Sequence, residues 1–135
     1  MRLTSRYRFA AAHRLHAGAL TEEQNRELYG KCNNPYGHGH DYVLDVTVEG
    51  VPDESGLVVR RAELDELVQR AVVRRLDHTY LNQDVAEFAS AVPTTENLAT
   101  VIRDYLAAAW TLSVKLVRVA VAETDRNTFV WEAGK

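Results

Sequence analysis

The side chains best suited to chemistry lie in one stretch, Gly30-Lys31-Cys32-Asn33-Asn34-Pro35-Tyr36-Gly37-His38-Gly39-His40, which holds the only cysteine and two of the five histidines. Asn-Asn-Pro and the glycines mark it as a loop. Asp41 to Glu49, which follows, alternates in polarity and reads as a strand. Residues two apart on a strand share a face, so His38 and His40 point the same way, about 7 Å apart and both within reach of one ion. Gly39 between them leaves room for something bulky. Two imidazoles do not make a zinc site, because catalytic zinc takes three protein ligands and keeps one position open. His13 is the best third donor, since it ends another alternating run on the face of Tyr7, Phe9 and Ala11. If the two strands pair, three imidazoles converge on one face. Otherwise His-x-His is an ordinary strand start with half-exposed histidines.

Three further places carry more than one reading each. A free cysteine is commonly an inert packing residue, but Lys31, two asparagines and a glycine-rich turn are not core company for Cys32. A cation and a metal nearby would both lower its pKa; as a fourth zinc ligand it would instead close a structural site. Asp77-His78 follows a helix, where a histidine is favoured by the dipole, or it is a carboxylate-oriented imidazole that moves protons. Glu123 ends an apolar strand face of Val117, Val119 and Val121. It is either a solvated strand end or an acceptor of two parallel N–H bonds from a guanidine-like edge.

The elements that must position these groups follow from periodicity. Arg2 to His13 is the first strand and the run ending at Glu49 the second. His16 to Tyr29 is polar, with a short helical turn or ordered loop near Thr21. Leu57 to Leu76 has a helical stripe of Leu64, Leu67, Val68, Ala71, Val72 and Leu76. Asp77 to Asn82 ends that helix, and Asp84 to Pro93 is a connection. Thr94 or Thr95 caps a second helix with Glu96 in its first turn and a stripe of Leu98, Val101, Ile102, Tyr105, Leu106 and Ala109. Lys115 to Glu123 and Thr128 to Glu132 are strands joined by a tight turn. The order ββααββ predicts an α+β fold, a four-stranded antiparallel sheet with two helices on one face, and edges that oligomerisation would cover.

Composition sets the outer bounds. A chain of 135 residues with 46% hydrophobic and 26% charged residues reads as one globular domain, 1–135. The net charge of -3 argues against nucleic acid as a partner. No apolar run has membrane length and no signal peptide is apparent, so no membrane role is expected. A single cysteine makes no internal disulfide and fits a reducing cytoplasm.

With these residues in view, the chain resembles the 6-pyruvoyl-tetrahydropterin synthase family, which includes the 6-carboxytetrahydropterin synthases of the queuosine pathway. The carriers, in order, are Phe9 to Leu15, Gly30 to Pro35 into Gly37-His38-Gly39-His40, Leu76-Asp77-His78 with Leu81-Asn82, Pro93 to Asn97, and Glu123 to Asn127. The resemblance implies the tunnelling (T) fold, three sheets joined into a barrel, and two trimers stacked into a homohexamer with active sites between subunits. It implies Zn2+ on His13, His38 and His40, and Cys32 as the catalytic thiol with Asp77 and His78 as partners from a neighbouring subunit. Glu123 would anchor the amino-pyrimidine edge of a pterin, with Thr94, Thr95 and Glu96 nearby. The implied substrate is 7,8-dihydroneopterin triphosphate, converted to 6-pyruvoyl-tetrahydropterin with release of triphosphate. The alternative branch makes 6-carboxytetrahydropterin and releases acetaldehyde and triphosphate. Five residues between Cys32 and His38 lean toward the pyruvoyl branch. Val59-Arg60-Arg61 departs from the family's usual acidic or amide residue followed by an apolar one, and Asp41 stands where asparagine is common.

Overall fold

In the computed structural model, which describes residues 1–134, the two alternating runs pair as the histidine spacing requires. β1 (Arg2–His13) and β2 (His38–Glu49) are antiparallel, with Arg2 opposite Glu49 at one end and His13 opposite His38 at the other. One face of this ribbon carries buried Tyr7, Phe9, Ala11, Tyr42, Leu44, Val46 and Val48. The other carries Arg2, Thr4 and Arg6, paired with Glu49, Thr47 and Asp45 respectively. That alternation is what a sheet with one packed face requires.

The packed face is covered by helices. α1 (Glu22–Tyr29) lies outside this layer, opened by a reciprocal capping box between Thr21 and Gln24. α2 (Arg61–Val68) runs through a π-helical stretch at Gln69–Val73 into α3 (Arg74–Leu76). α4 (Leu81–Asp84) is a single turn, and α5 (Thr95–Ala109) is the long helix. Leu64, Leu67, Val68, Val72 and Leu76 meet Leu98, Ile102 and Leu106 over the sheet in one core cluster. Val101, Tyr105 and Ala109 of the expected stripe pack at its margin. Burying a side chain of this size stabilises by about 1.5–3 kcal/mol each, so the two helical stripes hold the layer down.

Two expectations need correction. The sheet has five strands in the order β3-β1-β2-β4-β5, not four, and short helices interrupt the simple ββααββ order. The extra strand, β3 (Thr79–Tyr80), pairs in parallel with Ala11 and Ala12. It forms because the helix does not simply end at Asp77-His78. The Asp77 carboxylate accepts the Ala10 N–H at 2.8 Å, and the His78 N–H donates to the Ala10 carbonyl at 2.6 Å, laying the chain along the β1 edge. The first helical run also begins at Arg61 rather than Leu57, with no side-chain cap from Arg60; Arg61 instead donates to Ser5 Oγ at 3.2 Å.

β4 (Lys115–Thr124) and β5 (Asn127–Glu132) complete the sheet. β4 is not the regular row that its valines suggest. Its register slips against β2 between Leu116 and Arg118, and against β5 between Ala122 and Thr124, so Val117 and Glu123 are each the extra residue of a bulge. Val117 is buried but stands outside the cluster that contains Val119 and Val121. No helix among the described residues is long and apolar enough to cross a membrane.

Candidate active site

The cross-strand pair His13–His38 places two imidazoles at one end of the sheet, and His40 follows His38 on the same face, opposite Ala11. His13 is fully buried. Its Nδ1 lies 2.9 Å from the Pro93 carbonyl and 3.3 Å from the Tyr42 hydroxyl. A carbonyl only accepts, so the ring proton sits on Nδ1 and the Nε2 lone pair of neutral His13 faces inward. There it meets His40 Nε2 at 3.1 Å. Rings of His38 and His40 stand edge to face with centroids 4.7 Å apart.

Glu123, re-aimed by its bulge, closes the arrangement from β4. Its Oε1 lies 2.7 Å from His40 Nε2 and 3.6 Å from His13 Nε2, and its Oε2 accepts the Thr95 hydroxyl at 2.9 Å. Cys32 stands in a 3-10 turn, Gly30–Asn33, with Sγ 3.7 Å from His40 Nε2 and 4.0 Å from Glu123 Oε1. That turn is fixed by Asn33, whose amide donates to the Leu15 carbonyl at 2.6 Å, and by the Leu15 N–H to the Cys32 carbonyl at 2.6 Å.

Burial holds both His13 and His40 below the ordinary histidine value, with the Glu123 carboxylate opposing it in each case. Neutral imidazoles are the metal-binding form. Burial, and then Glu123, push the Cys32 thiol up rather than down, so the lowering expected from Lys31 is not realised by the chain's own groups. A divalent ion held here would act in the opposite direction.

The donor set fits a metal. Ligand atoms of His13, Cys32, His40 and Glu123 all lie within 4.8 Å of one another. Zinc bonds of about 2.0–2.3 Å place neighbouring donors of a tetrahedron roughly 3.3–3.7 Å apart. His13–His40 at 3.1 Å, His13–Glu123 at 3.6 Å and Cys32–His40 at 3.7 Å lie near that edge length, whereas His40–Glu123 at 2.7 Å is shorter and Cys32–Glu123 at 4.0 Å longer. Binding would displace the proton that His40 Nε2 shares with Glu123.

A family model described as 6-pyruvoyl tetrahydropterin synthase matches residues 2–133. The chain belongs to that family. Within it, the chain is 45% identical over 124 residues to 6-pyruvoyl tetrahydrobiopterin synthase of Poecilia reticulata, covering 91% of this chain and 84% of the relative. It is 44% identical over 131 residues to the protein of that name in Homo sapiens, with coverages of 96% and 90%. The solved Caenorhabditis elegans 6-pyruvoyl tetrahydropterin synthase superposes with a TM-score of 0.90 at 34% identity, covering 99% of this chain and 96% of that one. An Archaeoglobus fulgidus relative, named provisionally as a 6-carboxy-5,6,7,8-tetrahydropterin synthase, is 36% identical over only 64% of this chain.

In this member of the 6-pyruvoyl tetrahydropterin synthase family, the residues singled out by sequence do not all meet. His13, Cys32, His40 and Glu123 come together, with Thr95 bonded to Glu123 and His38 beside His40. Thr94 is the cap of α5, accepting the Asn97 N–H at 3.2 Å, and Glu96 is exposed in the first turn. Asp77 and His78 lie outside the cluster. His78 adopts φ 59°, rare for a residue with a side chain, and its imidazole is 83% exposed, 3.7 Å from the Asp77 carboxylate. Two contributors escape a reading of residue types. Pro93 acts through its backbone carbonyl, which no side-chain pattern reveals. Asn82 pins the Arg14 backbone by accepting from its N–H and donating to its carbonyl, both at 2.8 Å. Tyr42 was legible, because it continues the 38, 40, 42 alternation.

Proposed function

We propose that the chain is a zinc-dependent lyase that converts 7,8-dihydroneopterin triphosphate to 6-pyruvoyl-tetrahydropterin and triphosphate. The observation that carries this is the juxtaposition of two inward Nε2 atoms 3.1 Å apart with a cysteine thiol and a carboxylate. His13, His38 and His40 would hold the ion, His38 by its place opposite His13 and beside His40. Bound zinc supplies Lewis acidity toward the substrate's side-chain hydroxyls. Glu123 accepts the 2-amino and ring N–H groups of the pterin, with Thr95 fixing one of its oxygens and Thr94 and Glu96 at the same helix start. Cys32 moves a proton at the substrate side chain, next to the histidine cluster. Asp77 and His78 of a neighbouring subunit supply the second proton-transfer group, in keeping with an exposed imidazole on a strained backbone. This reading requires a homo-oligomer, for which we propose a hexamer of two stacked trimers with T-fold barrels. A free cysteine in the site suits a cytoplasmic location.

Two other readings have an observation each. The Cys32 Sγ to His40 Nε2 distance of 3.7 Å also suits a fourth ligand of a structural zinc. Cys32→Ala separates them: the lyase loses activity and keeps its metal, whereas a structural site loses the metal. The archaeal relative supports 6-carboxytetrahydropterin as the product, at lower identity and coverage than the pyruvoyl-forming relatives. Mass spectrometry of the product formed from dihydroneopterin triphosphate decides between the branches.

A further inference from the structure

Tyr42 is fully buried, yet it carries a hydroxyl where a phenylalanine would fill the same space. Its ring lies across from Phe9 in the β1–β2 register and stacks on it, with centroids 5.1 Å apart and planes 18° from parallel. It also stands edge to face with His13 and His40, at centroid distances of 6.4 and 5.7 Å. Packing alone therefore sets the ring, and the oxygen is an addition to it. A hydroxyl taken out of water costs free energy unless it is hydrogen-bonded. Among the described residues the Tyr42 hydroxyl has one such contact, 3.3 Å from His13 Nδ1.

The direction of that contact follows from a third group. The Pro93 carbonyl lies 2.9 Å from the same nitrogen, and against an unprotonated Nδ1 it would set two lone pairs facing each other. Nδ1 therefore carries the proton and shares it between the carbonyl and the phenol oxygen. The phenol's own proton is left without an acceptor among the described residues. Burial, and then Glu123 and Cys32, push the Tyr42 pKa up, so that proton stays in place. The core thus holds a poorly satisfied donor, which costs stability and serves no packing need.

We infer that Tyr42 is a positioning residue for the metal centre, its oxygen and the Pro93 carbonyl together holding the His13 N–H so that Nε2 is aimed at the ion; the inference rests on the metal-site reading above. His13 is the ligand that the chain can hold in this way. The contacts of His40 run through Nε2, the nitrogen that faces the cluster, and His38 makes no hydrogen bond among the described residues. An outer partner on a ligand's far nitrogen fixes the tautomer and ring plane and makes the ligating nitrogen a better donor. A second acceptor narrows the orientation further, since a turn of the ring that favours one bond weakens the other.

Tyr42→Phe removes one oxygen and keeps the stacked ring. Three quantities measured on wild type and Y42F test the inference: zinc affinity by competition with a chromophoric chelator, the visible spectrum of the cobalt(II)-loaded protein, and the urea midpoint of the metal-free protein. The expected result is a zinc affinity about tenfold weaker in Y42F and an altered cobalt spectrum, with a midpoint equal to or above that of wild type. A lowered midpoint with zinc affinity and cobalt spectrum unchanged would make the hydroxyl a structural group and overturn the inference. No change in any of the three would overturn it as well, and both results leave the metal site itself intact. A wild type that binds neither zinc nor cobalt would instead overturn the metal-site reading and, with it, the role of Tyr42.

Discussion

Glu123 shows how much one side chain is asked to do. Its carboxylate accepts from Thr95 and His40 and lies 4.0 Å from the Cys32 sulfur. As the proposed pterin anchor it presents acceptors to two N–H donors, which Glu123→Gln would replace in part with a donor facing a donor. Pterin binding should weaken at least about tenfold, or roughly 1.4 kcal/mol, with zinc content unchanged. Titration with a non-reactive pterin alongside metal analysis checks both; loss of zinc would make Glu123 a ligand instead. His13 carries a second expectation. Burial lowers its pKa from the ordinary 6.5, so as pH falls through that value the unfolded chain takes up a proton that the folded chain refuses. Stability of the metal-free protein should therefore be full above about 6.5 and decline as pH drops below it, with His40 acting in the same direction. Urea midpoints measured with chelator at two pH values on either side would show this, and an unchanged midpoint would count against buried neutral histidines.

At the scale of elements, the start of α5 serves structure and site through adjacent hydroxyls. Thr94 caps the helix, and Thr95, one residue on, is buried and donates to Glu123. Thr94→Ala should cost about 1 kcal/mol of stability in denaturant unfolding. Thr95→Val keeps the volume but frees Glu123 from its bond, so pterin binding should weaken while metal content holds. If Thr95→Val bound pterin like wild type, the carboxylate would need no such orientation. The Asn97 amide, donating to the Val92 carbonyl at 2.8 Å, holds the segment that presents the Pro93 carbonyl to His13. A helix cap, a strand bulge and a loop carbonyl thus converge on one carboxylate and one imidazole.

For the whole molecule, the unpaired edges and the separated proton-transfer pair point the same way. β3 covers β1 only at Ala11 and Ala12, and β5 is an edge strand with Val130 exposed. His78 projects outward on a positive-φ backbone. We expect a trimer or hexamer by analytical ultracentrifugation, and a fully active monomer would refute the shared site. Cys32→Ala and His78→Ala variants should each be inactive, yet unfolding and refolding them together should restore about a quarter of wild-type activity, because random mixing leaves that share of shared sites intact. No recovery in mixed oligomers would place both groups in one subunit's site.

Sequence alone determined what depends on local periodicity. Period-two alternation put His13, His38 and His40 on one sheet face, and period-3.6 stripes placed Leu64 to Leu76 and Leu98 to Leu106 over it. Those patterns are readable because side-chain direction is set by each element's own geometry. Tertiary structure decided the rest. The β3 strand exists because Asp77 and His78 bond to Ala10, 67 and 68 positions away in sequence terms. Glu123 reaches the histidines because its bulge depends on how β4 pairs with β5. The inward lone pair of His13 depends on a carbonyl 80 residues distant. Each of these is a long-range backbone contact or a pairing register, and neither leaves a signature in residue type or spacing.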